Sequence, residues 1–148
     1  MSEPNFDRLK LENQLCFPLY AASRGTIKKY RPFLEPLGLT YTQYIVMLVL
    51  WEHRKTDARA MGERLYLDSG TLTPVLKSLE AIGLLKRYRS SADERVLMVE
   101  LTEQGEALKE KAQHIPVKLA ACIQLKPEET LQLYNLLYKL LDTTTEAE

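Results

Sequence analysis

Cysteine and histidine are scarce, with two of each in 148 residues. Cys16 and Cys122 are too few for a secreted disulfide scaffold, and no Cys-x-x-Cys pair occurs. His53 and His114 lack partners at metal-ligand spacing, and the six glycines include no phosphate-cradling loop. No metal or nucleotide cofactor is therefore expected. No apolar run approaches the ~20 residues that span a bilayer. Met1–Leu11 is polar and mixed in charge, unlike a signal peptide. The expectation is a cytoplasmic protein with no membrane partner, its cysteines present as thiols. Net charge is missing too, since twenty basic residues balance twenty acidic ones. A uniformly basic nucleic-acid binder is excluded, but a locally basic one is not. The hydrophobic share of 45% and charged share of 27% belong to an ordinary globular protein, and the length suggests one domain.

The charges are unevenly spread. Residues 54–95 carry nine basic and six acidic side chains, whereas 96–148 carry five and nine. A basic middle and an acidic end fit a DNA-facing segment held by a non-contacting one; an uneven solvated surface fits equally well. The pattern of elements says more. A first helix is expected within Pro18–Leu34, because proline suits a first helical turn. Cys16 then precedes its N-terminus, and Pro32 and Pro36-Leu37-Gly38 end it. Thr40 with Gln43 three residues on is a capping-box pattern opening an apolar helix, Tyr44–Trp51. A short helix from about Ala58 to Tyr66 follows, with Met61 and Leu65 on one face. Leu67-Asp68-Ser69-Gly70 reads as a tight turn. The next helix spans about Thr71 to Ile82, with Leu72, Val75, Leu76 and Leu79 inward at 3–4 spacing. Gly83 ends it.

The period then changes to two. Leu85–Arg89 and Val96–Leu101 read as a two-stranded hairpin around a polar loop. Thr102-Glu103 starts a long helix interrupted at Pro116, and Pro127-Glu128-Glu129 starts the last one. In that last helix eight of the eleven residues from Leu131 to Leu141 are Leu or Tyr. One buried face needs only three or four apolar positions per two turns, so a partner chain is the simplest cover for the rest. Trp51 and most of the tyrosines read as core. The fold class is mainly α with a small β wing (α+β): a winged helix-turn-helix with terminal dimerisation helices.

In such a fold the second helix of the pair lies in the major groove of double-stranded DNA. With its leucines buried, Ser69, Thr71, Thr73, Pro74 and Lys77 face outward, short hydroxyls and one cation suited to base edges and phosphates. Pro74 costs a helix hydrogen bond beyond the first turn, which favours a helix start near Thr71. In the hairpin, Arg87 and Arg89 lie on one strand, with Asp93, Glu94 and Arg95 at the loop. An arginine at a wing tip can enter the electronegative minor groove, and Asp93 can hold the Arg95 guanidinium in a fork. A solvated helix face and an ordinary surface salt bridge are the bland alternatives.

These residues carry a resemblance. The stretch Lys86–Glu103, KRYRSSADERVLMVELTE, resembles the wing of the MarR family of bacterial regulators. Leu9–Arg24 (LKLENQLCFPLYAASR), Gly38–His53 and Met61–Glu80 resemble its organic-hydroperoxide-responsive repressors. The resemblance implies a single MarR-type domain over 1–148, with 38–101 binding DNA and 1–37 and 102–148 dimerising. It implies a homodimer on a pseudo-palindromic operator, with an organic hydroperoxide as oxidant of a reactive thiol at Cys16. Tyr20 and Tyr30 fall where tyrosines hydrogen-bond that thiolate across the dimer. Cys122 falls where some members carry a resolving cysteine. Pro18 departs from the pattern, where a residue other than proline is usual. Physically, the thiolate is the reactive form of cysteine, and hydroperoxides convert it to a sulfenic acid that condenses with a second thiol. Taken alone, each cysteine is more often an inert buried hydrophobe.

The implied function is a redox-sensing repressor, not an enzyme, that releases its operator when Cys16 is oxidised. Two readings compete with it. One keeps the fold but senses a small phenolic ligand; the other is a thiol peroxidase that turns over with a reductant.

Overall fold

The computed structural model describes residues 4–145. It divides into two compact units, 1–115 and 116–148. The boundary falls at Pro116, where the sequence breaks the helical pattern.

The first unit opens with two short 3-10 turns, Phe6–Leu9 and Leu11–Asn13, then α1, Cys16–Leu34. Cys16 is the first residue of α1, so the helix starts two residues earlier than the Pro18 rule implied. Pro18 is still in the first turn, where its missing N–H costs nothing. Pro32 lies inside α1 instead of ending it. A 3-10 turn, Glu35–Leu37, and left-handed Gly38 lead to α2, Tyr41–His53. Its capping box is formed: Thr40 Oγ1 accepts from the Gln43 N–H at 3.2 Å, and Gln43 Oε1 accepts from the Thr40 N–H at 2.9 Å. α2 is the central helix, with Val46, Met47 and Leu50 fully buried.

Next come β1, Lys55–Asp57, and α3, Ala58–Leu65. Then α4, Ser69–Ala81, is followed by β2, Leu85–Arg89, and β3, Leu97–Leu101. The α4 start corrects the expectation of Thr71. Asp68, not the residues after it, makes the turn: its carboxylate accepts from the Thr71 N–H at 2.7 Å and caps a helix beginning at Ser69. Pro74 therefore sits inside α4 and leaves one carbonyl of the preceding turn without its helical donor. β1 was not expected, and it makes the hairpin a three-stranded antiparallel sheet in the order β1-β3-β2. Thr56 pairs with Val99, and Arg87 pairs with Val99 from the other side.

Thr102 caps α5, Glu103–Ala112, and its hydroxyl donates to the Gly83 carbonyl at 2.6 Å. Gly83 is left-handed, φ 82°, a conformation glycine takes without strain. Gly105 lets α5 approach the sheet closely; a Cβ there would run into the Leu84 carbonyl oxygen and come within 2.6 Å of Leu101 Cδ1. Trp51 Nε1 donates to the Gly105 carbonyl at 2.9 Å in the interior. One core joins Leu34, Tyr44, Met61, Leu72, Leu76, Val99 and Ile115. The tyrosine expectation needs correction: only Tyr44 is buried, Tyr30 and Tyr41 are half-buried, and the other five are exposed.

The second unit takes in α6, Ile115–Cys122, from Pro116 onward, and α7, Pro127–Thr145. α7 buries no residue; Leu131, Tyr134, Leu136 and Tyr138 are all exposed.

Candidate nucleic-acid interface and thiol site

The outward face of α4 follows from its inward one. Leu72, Leu76 and Leu79 are buried, which leaves Ser69, Thr71, Pro74, Lys77 and Ser78 exposed and Thr73 half-buried. Lys77 has no ion pair among the described residues, so its charge is available to a phosphate.

The wing is the β2–β3 hairpin, closed by Ser90 N–H donating to the Val96 carbonyl at 2.9 Å. At its tip Arg95 is gripped by Asp93. Nε donates to Oδ1 at 3.0 Å and Nη2 to Oδ2 at 3.1 Å, and the Arg95 N–H donates to Oδ1 at 3.0 Å. These bonds hold the Asp93 carboxyl below the usual carboxylate range. The guanidinium keeps its outer surface open, the side chain being 90% exposed. Arg89 Nη1 donates to the Arg95 carbonyl at 3.3 Å, bracing the same loop.

Arg87 is not presented in this way. Its side chain is 19% exposed and turned to Glu80 on α4. Glu80 accepts Arg87 Nη2 at 3.1 Å, Nε at 3.3 Å and the Arg87 N–H at 2.9 Å. In the free chain Arg87 thus clasps α4 to the wing. Sequence spacing could not show it, because Glu80 and Arg87 lie on different elements.

Cys16 is exposed at the start of α1, and Tyr20 follows one turn later on the same face, its ring covered by Arg24 at 5.3 Å. Tyr30 is fourteen residues on, about 21 Å along the helix at 1.5 Å per residue. No phenol reaches that far, so Tyr30 cannot bond the Cys16 of its own chain. It packs instead against Tyr41 and Tyr44 of α2, ring centroids 4.7 and 5.8 Å away. Burial, then the neighbouring phenols Tyr41 and Tyr44, push the Tyr30 hydroxyl up to about 12. Tyr41 is raised by burial; Tyr44 by burial and by Tyr41. All three are neutral donors at physiological pH, and among the described residues none of the three hydroxyls has a hydrogen-bond partner. Sequence reasoning missed Tyr41 and Tyr44. Their i, i+3 spacing marked one helix face but not that Tyr30 would meet it.

Cys122 is half-buried at the end of α6, its Sγ donating to the Lys118 carbonyl at 3.4 Å. Neither cysteine is in a disulfide. Among the described residues no cluster of three or more His, Cys, Asp or Glu could hold a metal ion, and no single helix is long and apolar enough to cross a membrane.

A helix pair with an outward polar face, followed by a sheet with an arginine-tipped wing, defines a winged helix-turn-helix protein. Residues 28–112 match the family described as transcriptional regulator SarA/Rot. The chain is 52% identical over 141 residues to the organic hydroperoxide resistance transcriptional regulator of Bacillus subtilis, covering 95% of this chain and 96% of that one. It is 42% identical over 125 residues to SarZ of Staphylococcus aureus, 84% of each chain. Among solved structures it is similar to AbfR of Staphylococcus epidermidis. The reduced, DNA-bound form of AbfR is 34% identical with a TM-score of 0.80, covering 95% of this chain and 96% of that one. AbfR is also solved overoxidised on DNA and in a disulfide form, with TM-scores of 0.76 and 0.64. The chain belongs to this family of MarR-type winged-helix transcriptional regulators.

Proposed function

We propose that this chain is a redox-sensing DNA-binding repressor that releases its operator when organic hydroperoxides oxidise Cys16. The observation that carries this reading is the 52% identity, over nearly the whole of both chains, to an organic hydroperoxide resistance regulator. AbfR, solved reduced on DNA, overoxidised on DNA and in a disulfide form, supports it over the ligand-sensing and peroxidase readings. The chain works in the cytoplasm as one MarR-type domain. Residues 38–101 face double-stranded DNA, while 1–37 and 102–148 build a homodimer. The exposed apolar residues Leu9, Leu11 and Leu15 and those of α7 are the surfaces such a dimer would cover.

In the reduced dimer α4 enters the major groove with Ser69, Thr71, Thr73, Pro74 and Lys77, and Arg95 enters the minor groove. The Asp93 fork orders Arg95 before it binds, which lowers the entropy cost of binding. Tyr30 of one protomer donates to the Cys16 sulfur of its partner, since the 21 Å separation along one helix rules out the same chain. Tyr41 lies against Tyr30 and shares that role, and Tyr20 stands one turn from the thiol. The Cys16 sulfur attacks the distal oxygen of the hydroperoxide and breaks the O–O bond. The products are a sulfenic acid and the alcohol, the alcohol oxygen taking the proton. The Cys122 thiol then displaces water from the sulfenic acid to form a disulfide between subunits. One oxidant is consumed per thiol, with no turnover, so the chain is a sensor and not an enzyme.

The test uses a duplex enriched by the reduced protein from a random-sequence pool. Binding anisotropy and non-reducing electrophoresis follow one equivalent of cumene hydroperoxide. Wild type should release the duplex and run as a cross-linked dimer. Cys16→Ser should bind and stay bound; release by that variant overturns the sensor. Cys122→Ser should release incompletely. Full release by a wild type that never cross-links would retain Cys16 and remove Cys122 as its partner.

A further inference from the structure

The first turn of α2 stands between two groups of residues. On one side Tyr41 and Tyr44, three residues apart, lie against Tyr30 of α1. Gln43 points elsewhere, roughly 130° round the helix from the mean direction of those phenols at roughly 100° per residue. There its Nε2 donates to Ser78 Oγ on α4 at 2.9 Å. Both ends of this bond are fixed. Gln43 Oε1 is held by the Thr40 N–H at 2.9 Å, which sets the amide orientation and leaves the NH2 to face α4. The Ser78 hydroxyl donates to the Val75 carbonyl at 2.7 Å, so its lone pair is what receives the amide. Ser78 is next to Lys77, on the helix whose outer face is the candidate DNA surface.

We propose that Gln43 is the positioning residue that ties the state of the phenol cluster to the setting of α4, through its bond to Ser78. This rests on the reading that Cys16 of the partner subunit is sensed at Tyr30. Oxidising that sulfur replaces the thiolate acceptor of the phenols with a neutral sulfenic acid and then a disulfide, which shifts Tyr41 and Tyr44. A rigid, capped first turn carries the shift to its opposite side, where the amide pulls on Ser78. The core contacts of α2 and α4 are apolar and non-directional. The Gln43–Ser78 bond is directional, so it adds a specific link between the first turn of α2 and α4. A coupling free energy between two sites needs one element that both bias, and the first turn of α2 meets that condition.

The experiment compares wild type, Ser78→Ala and Gln43→Leu by three readouts. They are the rate of Cys16 sulfenate formation, operator affinity of the reduced protein, and operator affinity after one equivalent of cumene hydroperoxide. The ratio of the two affinities is the coupling. A single neutral hydrogen bond of this kind is worth a few-fold to about tenfold. The ratio should therefore fall about fivefold in both variants, with sulfenate forming at the wild-type rate. If Ser78 merely touches DNA, Ser78→Ala lowers both affinities together and Gln43→Leu lowers neither. The ratio then stays at the wild-type value, and the proposal is wrong. A ratio unchanged in both variants while wild type releases normally also overturns it. A wild type that forms sulfenate yet keeps its duplex overturns the sensor reading itself, and the coupling with it.

Discussion

Tyr30→Phe is the substitution whose effect can be worked from the structure with a definite sign. The Tyr30 phenol is raised from 10.0 to about 12 by burial and then by its neighbours Tyr41 and Tyr44. The fold thus favours the protonated phenol. The unfolded chain ionises this group near 10 and the folded chain near 12. The resulting stability is complete below pH 10 and lost as pH climbs through 12. The rise from 10.0 to about 12 corresponds to an upper bound of about 2.7 kcal/mol. Tyr30 is only half-buried, so solvent screening reduces this to about 1 kcal/mol. Urea unfolding of wild type and Tyr30→Phe at about pH 8 and about pH 11.5 separates this group from the lysines that titrate in the same range. Wild type should lose about 1 kcal/mol more than Tyr30→Phe between the two conditions. Phenolate absorbance at alkaline pH should show the wild-type cluster ionising late. A stability gap that is the same at both pH values would refute the burial of Tyr30 against Tyr41 and Tyr44.

Arg95→Ala should weaken operator binding by about tenfold or more, the range of a lost charge-assisted contact; anisotropy at physiological salt equal to wild type would remove the wing from the interface. Gly105→Ala should cost about 3 kcal/mol by overpacking the α5–sheet junction, read from urea midpoints, and wild-type stability would show that α5 can move away from Leu84. Sedimentation at micromolar concentration should give twice the 17.0 kDa chain mass, and a monomer would leave the apolar surface of α7 unexplained.

What the sequence alone determined here is local. Thr40 with Gln43, Thr102, Gly83 and Pro127 mark element ends because caps and special φ angles act within a few residues of chain. The 3–4 spacing of Leu72, Leu76 and Leu79 assigned the inward face of α4 for a similar reason, since helical period is a property of one segment. The all-round apolar α7 could be read in the same way. Features that depend on a partner distant in the chain were decided by tertiary structure. β1 is Lys-Thr-Asp, with no strand signal, and becomes a strand because β3 offers it an open edge. Pro74 sits inside α4 because Asp68 caps the helix three residues before Thr71. Arg87 pairs with Glu80, on another element, which only the packing of the wing on α4 brings within reach. Tyr30, Tyr41 and Tyr44 are spread over fifteen residues, and only the packing of α1 on α2 makes them one cluster. Short-range rules govern backbone conformation, but the partner of a charge or a phenol is set by which elements the core brings together.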